Sequence, residues 1–156
     1  MATPKVFIDG SSGTTGLRIQ DVLKSRQDIN LSVLAYDERR DPTKRQDAIA
    51  EADLAILCLP DEAAVEASGW AKAGQTRVID TSTAHRVTEN WVYGLPEINP
   101  AQRKKIVESS KVSNPGCYPT GFILSIRPLV EQSLLLSDAA ITIHAISGYS
   151  GGGKNL

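Results

Sequence analysis

Nine residues, Ser113-Asn114-Pro115-Gly116-Cys117-Tyr118-Pro119-Thr120-Gly121, set a thiol where an irregular Pro/Gly-rich segment turns into a helix. Pro115 and Gly116 interrupt whatever precedes them. Pro119 suits a first helical turn, where its missing N–H would have no partner. The apolar spacing Phe122, Ile123, Ile126, Leu129, Val130 predicts the helix itself. A cysteine at such a terminus meets the positive end of the macrodipole and unpaired N–H groups, which favour the nucleophilic thiolate. The alternative is a small buried cysteine filling a tight turn. Two flanking glycines and two flanking prolines speak for the reactive reading.

A second motif, Gly10-Ser11-Ser12-Gly13-Thr14-Thr15-Gly16, lies between an apolar strand and a helical pattern. Glycine permits positive φ and lets a phosphate approach the backbone, while the helix start supplies oriented N–H donors. The spacing is Gly-x-x-Gly-x-x-Gly rather than the commoner Gly-x-Gly-x-x-Gly. Gly10, Ser12, Gly13, Thr14, Thr15 and Gly16 are the candidate nucleotide ligands. A glycine turn can also serve strand–helix packing alone. The second strand leads into Tyr36-Asp37-Glu38-Arg39-Arg40. An acid here would take the ribose 2′-hydroxyl of NAD, and an arginine the 2′-phosphate of NADP. Both types occur, so the residues leave the choice open; the reading adopted leans to NADP through Arg39 or Arg40. A solvated surface charge cluster is the plain alternative.

Asp80-Thr81-Ser82-Thr83-Ala84-His85-Arg86 follows a strand's carboxyl end, where open α/β sheets bind ligands. Arg86 could fork onto a phosphate or carboxylate, or simply make a rim salt bridge. Cys58 sits in an apolar strand and reads as a core residue. His144 alternates with Thr142 and Ala140 and reads as structural.

The elements that must position these groups alternate as in βαβ units, which predicts a parallel sheet of Rossmann type. Strands are expected at 5–9, 31–35, 54–59 and 77–80, with helical patterns at 17–23, 43–50 and from 61 to about 73, the last capped by Asp61. Residues 81–99 read as a long loop and 100–109 as a polar helix. After the cysteine helix, 138–146 reads as a strong strand, followed by the glycine-rich segment 148–154. The division expected is a nucleotide-binding domain over 1–115 and, over 116–156, the beginning of a second, α+β catalytic domain cut off early.

Of the 156 residues, 41% are hydrophobic and 22% charged, the balance of an ordinary soluble domain. A net charge of −1 and 5% aromatic residues give no case for nucleic acid or an anionic membrane surface. No apolar run would span a bilayer, and Met1 to Gly10 lacks a signal-peptide pattern. Two cysteines make no disulfide framework, so a reducing, cytoplasmic setting is expected. No residue is assigned to a metal.

The glycine loop, Asp80 to Arg86, Tyr93-Gly94-Leu95-Pro96-Glu97, Asn114 to Thr120 and Ser147 to Gly153 occur together in this order. In this the chain closely resembles the shorter form of the N-acetyl-γ-glutamyl-phosphate reductases, with wider kinship to aspartate-semialdehyde dehydrogenases. The resemblance implies NADPH-dependent reduction of N-acetyl-γ-glutamyl phosphate to N-acetylglutamate semialdehyde, in arginine biosynthesis. It implies Cys117 as the nucleophile, which expels phosphate to form a thioester. It implies Pro60 and Ser82 beside the cofactor, and Arg86, Asn114 and Gly148 beside the substrate, in an enzyme expected to be a homo-oligomer. The family's acid/base histidine lies in a later part of the catalytic domain, and neither His85 nor His144 matches it. The chain is therefore expected to be a fragment. Two other readings stand beside this one: the same chemistry on aspartyl phosphate, and a nucleotide-binding module without catalysis.

Overall fold

A computed structural model describes residues 2–146 and residue 148. Six short strands form one parallel sheet: β1 (Lys5–Asp9), β2 (Asn30–Ser32), β3 (Leu54–Leu57), β4 (Arg77–Asp80), β5 (Val92–Tyr93) and β6 (Lys111–Ser113). Their spatial order is β2-β1-β3-β4-β6-β5. The chain leaves β1 in one direction and β3 in the other, so the topological switch point lies between these two strands. Open α/β sheets bind ligands in the crevice at that point. The glycine loop follows β1 and Pro60 follows β3, so both flank it.

The apolar strands are covered on both sides because their side chains alternate between two faces. On one face Phe7, Ala55, Leu57 and Val78 pack with Ile49 of α2 (Pro42–Glu51) and Ala67 of α3 (Asp61–Ser68). On the other, Val6, Ile8 and Ile56 pack with Ile19 and Leu23 of α1 (Thr14–Leu23). The sheet is thus doubly wound, as the alternating sequence pattern predicts. Helix α2 begins as its sequence dictates: Asp41 accepts from the N–H groups of Thr43 (2.9 Å) and Lys44 (3.3 Å), and Pro42 takes the first helical position.

Several boundaries differ from expectation. β2 ends at Ser32, not Ala35, because it is an edge strand whose ladder with β1 stops at Phe7↔Ser32. Helix α3 stops at Ser68, where Gly69 takes the C-cap and its N–H turns back to Glu66. Asp61 does not cap it. Pro60 holds that position, and Asp61 is the first helical residue. The loop expected at 81–99 contains β5 and a 3-10 turn, Pro96–Ile98, before α4 (Gln102–Glu108). β6 was not expected at all, and it feeds directly into the cysteine turn.

The helix carrying the cysteine, α5 (Cys117–Glu131), forms as its periodicity predicts, with Pro128 inside it. None of its residues is buried. Its apolar residues Phe122, Ile123, Ile126 and Val130 line an open groove together with Ile98. The strand expected at 138–146 is absent: these residues have no regular structure, and Ile141, Ile143 and Ile146 are exposed. A strand satisfies its backbone only by pairing, and no described strand lies alongside. The second, α+β unit expected after residue 116 is therefore represented, among the described residues, by α5 and irregular chain.

Candidate active site

The last residues of the strands form a row across the sheet's carboxyl edge. Asp9 of β1 aligns with Leu57, Leu57 with Asp80, Asp80 with Ser113, and Ser113 with Tyr93. Neighbours in register share a face, so four polar side chains line one edge of the apolar layer. Two of them are buried carboxylates, Asp9 and Asp80. A buried charge persists only when it is paired and hydrogen-bonded, and each aspartate organises part of the site.

Asp9 faces the switch point. Arg45 of α2 reaches it with Nε 3.2 and 3.1 Å from the two carboxylate oxygens and Nη2 3.0 Å from Oδ2. The guanidinium also lies over the Trp70 ring, 5.0 Å from its centroid. Around this pair opens a pocket lined by Gly10, Ser11, Ser12, Arg39, Arg40 and Leu59. Arg39 stacks on the exposed Tyr36 ring, 3.9 Å from its centroid. Glu38 turns toward Lys44, 3.7 Å away, and does not line the pocket.

The glycines of the loop divide into two kinds. Gly10 has φ +79°, and a Cβ there would strike the Cys58 carbonyl. A Cβ at Gly16 would strike the Gly10 carbonyl. Gly16 therefore serves close packing of α1 on the loop, and Gly10 the close approach of that loop to the end of β3. Gly13 is the N-cap of α1, where a Cβ would meet only ordinary contact at 3.4 Å. Thr14, Thr15 and Gly16 begin the helix beyond it, and first-turn N–H groups have no intrahelical partner. Ser11 and Ser12 of the loop line the pocket together with Arg39 and Arg40, whose guanidinium groups suit a polyanionic dinucleotide. The residues present fit NADP.

Asp80 organises the next loop. It accepts from the Ser82 N–H (3.0 Å), from the Ser82 hydroxyl (2.6 Å) and from Nδ1 of His85 (2.7 Å). The buried His85 ring stacks on Trp91, centroids 3.9 Å apart and 13° from parallel. The loop's outer side is held by Asp61, whose carboxylate accepts from both the N–H and the hydroxyl of Thr83. Those bonds, the side-chain one foremost, keep the Asp61 carboxyl below its usual range. Ser82 is buried, with its hydroxyl proton committed to Asp80. Pro60, at the start of α3, is exposed.

Fixed at both ends, the loop presents Arg86 to the cysteine turn. Arg86 donates to the carbonyls of Asn114 (3.2 Å, from Nε) and Thr81 (3.4 Å, from Nη2). These are backbone bonds, not the rim salt bridge weighed as the alternative. Its guanidinium lies against Gly116, the N-cap of α5. Asn114 is tied back to the sheet by its N–H, 2.7 Å from the Asp80 carbonyl. Cys117 is the first helical residue and is exposed. In that first turn Pro119 offers no N–H, and Thr120 spends its own on the Gly116 carbonyl at 3.0 Å. The N–H groups of Cys117 and Tyr118 are the donors left to face a bound oxyanion.

Cys58 is half-buried, and burial raises its thiol to about 11. That fits the core role read from the sequence. His144 lies exposed in irregular chain, so no strand packs it, and the structural role expected for it is not seen. Gly148 is described but belongs to no regular element, while the rest of its motif, residues 147 and 149–153, lies outside the described residues. The sequence reading missed Arg45, Asp9 and Asp61 as organising residues. Only the unusual acid at a strand's last position, just before a glycine loop, could have signalled the first pair.

A parallel doubly wound sheet with a pocket at its switch point, and a cysteine starting the helix that follows β6, has the architecture of a Rossmann-type dinucleotide-binding domain. Residues 37–106 match the family described as semialdehyde dehydrogenase, NAD binding domain. Residues 117–156 match semialdehyde dehydrogenase, dimerisation domain. Solved structures share the fold. Aspartate semialdehyde dehydrogenase II of Vibrio cholerae superposes over 84% of this chain and 43% of that one, with TM-score 0.62 and 16% identity. The Francisella tularensis aspartate semialdehyde dehydrogenase does so over 83% and 41%, with TM-score 0.63 and 17% identity.

Sequence relatives are nearer. N-acetyl-gamma-glutamyl-phosphate reductase 2 of Nostoc sp. strain PCC 7120 is 53% identical over all 156 residues, which is 48% of that protein. The enzyme of the same name from Pseudomonas putida KT2440 is 55% identical over 99% of this chain and 49% of its own length. Along its whole length the chain is similar to these N-acetyl-γ-glutamyl-phosphate reductases. It spans about half the length of the curated relatives it matches.

Proposed function

We propose that this chain supplies the cofactor-binding unit and the nucleophile for NADPH-dependent reduction of N-acetyl-γ-glutamyl phosphate to N-acetylglutamate 5-semialdehyde, a step of arginine biosynthesis. The observation that carries this reading is the contact between Arg86 and Gly116, which puts a fixed guanidinium beside the helix start bearing Cys117. A negatively charged acyl phosphate bound there would have its phosphate near Arg86 and its carbonyl near the thiol. The Cys117 thiolate attacks the acyl carbon, a C–S bond forms, the C–O bond to phosphate breaks, and phosphate departs with that electron pair. Donation from the N–H groups of Cys117 and Tyr118 would stabilise the tetrahedral oxyanion.

NADPH, when bound, supplies the hydride that takes the thioester to the aldehyde level. The α1 terminus and Ser12 would hold its diphosphate, and Arg39 and Arg40 its 2′-phosphate. Ser82, Pro60 and Gly148 stay in the reading as further cofactor and substrate contacts. The division at residues 115 and 116, a homo-oligomer and a cytoplasmic setting belong to the same proposal. They are in keeping with a match to a dimerisation domain and with the lack, among the described residues, of any helix long and apolar enough to cross a membrane.

The test is intact-mass spectrometry of the full-length protein mixed with the acyl phosphate in the absence of NADPH. An N-acetylglutamyl adduct on Cys117, absent from Cys117→Ser, supports the thioester route. Turnover by Cys117→Ser would sink it.

A further inference from the structure

Asp9 is 3% exposed and is the one carboxylate lining the nucleotide pocket, whose other charged lining groups are Arg39, Arg40 and Arg45. A bare carboxylate at this point would oppose an incoming phosphate at short range, in a half-buried setting where solvent screens poorly. Arg45 removes that opposition. It reaches both oxygens of Asp9 and is itself mostly enclosed, its side chain 12% exposed, against Trp70. The pair cancels within the pocket wall, so the charge left to meet a ligand is that of Arg39 and Arg40. Arg45 is less free to turn outward: its Nε bonds both Asp9 oxygens, and its buried Nη2 lies 3.0 Å from Oδ2 without completing a hydrogen bond.

We infer that Arg45 is a specificity-determining residue for a 2′-phosphorylated dinucleotide and that it acts through Asp9, not by touching the ligand. This rests on the cofactor reading proposed above. A 2′-phosphate adds about two negative charges to a dinucleotide, so exposing Asp9 would penalise NADPH far more than NADH. Asp9 also explains why the arginine comes from α2: the carboxylate ends β1, and α2 is the helix that packs over the face to which Asp9 belongs.

Calorimetric titration of the 156-residue chain with NADPH and with NADH separates the possibilities. Arg45→Met is expected to weaken NADPH binding by about tenfold or more while changing NADH by less than about threefold. The double variant Asp9→Asn with Arg45→Met is expected to restore NADPH to within about threefold of wild type, because the opposing charge is gone. A double variant that stays as weak for NADPH as Arg45→Met makes Arg45 a direct phosphate ligand and overturns the inference. So does an unchanged NADPH-to-NADH ratio in Arg45→Met.

If Arg45→Met does not fold, Asp9→Asn decides, since it leaves no carboxylate lining the pocket. It is expected to keep or raise the NADPH-to-NADH ratio, and a folded Asp9→Asn with a lowered ratio overturns the inference. Wild-type preference for NADH would instead overturn the underlying cofactor reading, a result distinct from a wild type that prefers NADPH with variants that fail to shift.

Discussion

The guanidinium of Arg86 occupies the space that a side chain at residue 116 would need: a Cβ on Gly116 would stand 2.5 Å from Nη1. Gly116 has an ordinary extended backbone, with φ −79° and ψ 156°. Its lack of a side chain is therefore a matter of room for Arg86, not of backbone freedom. Arginine and cysteine come from loops at the ends of adjacent strands, β4 and β6. The glycine is what lets them meet.

Gly116→Ala should displace Arg86 without unfolding anything, because the obstructed atom is the far end of a flexible side chain. In the full-length enzyme, KM for the acyl phosphate is expected to rise about tenfold, the scale of one lost charge-assisted hydrogen bond. The melting temperature should stay within a few degrees of wild type. A KM unchanged by Gly116→Ala would remove Arg86 from the substrate site.

The two thiols should separate cleanly in alkylation. Cys117 is exposed, whereas Cys58 is half-buried with its thiol raised to about 11. Iodoacetamide at pH 8 is expected to label Cys117 alone in the native chain and both residues in urea, as peptide mapping would reveal. The same shift has a consequence for stability. The folded thiol holds its proton to higher pH than the unfolded one, so the native state binds more protons between about pH 9 and pH 11. Stability falls across that window, and Cys58→Ala should flatten this part of a urea-midpoint against pH curve.

How much of this was legible in the sequence depends on how many residues carried each signal. β3 is an unbroken apolar run and α5 has five apolar positions at helical spacing, so both were readable. β5 and β6 span two and three residues. No period can be counted in them, and they exist because the sheet edge offers each a partner. The apolar string at 138–146 carries the opposite lesson: β-propensity expresses itself only where another strand can pair. At the site, Cys117 and the glycine loop announced themselves by chemistry and breaker residues. The carboxylates that fix the surroundings, Asp9, Asp61 and Asp80, did not, because their partners lie 36, 22 and 5 residues away. Only the fold brings those pairs together.

Asp80 should be the most costly polar position to alter. It is fully buried and accepts from Ser82 twice and from His85 once. Asp80→Ala would strand those donors in the interior, at about 1–3 kcal/mol for each group left unsatisfied. Urea unfolding is expected to show a loss of at least about 3 kcal/mol, with Asp80→Asn keeping part of it. A loss under about 1 kcal/mol would mean that water replaces the carboxylate and that the loop before Arg86 is not held by it.

Tyr36 offers the most selective handle on the cofactor. The residue is 80% exposed, so it contributes little to the core, yet the Arg39 guanidinium carbon lies over its ring, 3.9 Å from the centroid. At an exposed site such a stack is worth about 0.5–1 kcal/mol, which is about a two- to fivefold change in binding. Tyr36→Leu keeps bulk but removes the ring's negative face, so Arg39 regains its rotamers and must be ordered by the ligand itself. NADPH is then expected to bind about two- to fivefold more weakly, with NADH and the melting temperature unmoved. Equal weakening of both dinucleotides would point instead to adenine resting on Tyr36. An effect on neither would detach Arg39 from the 2′-phosphate and leave that role to Arg40.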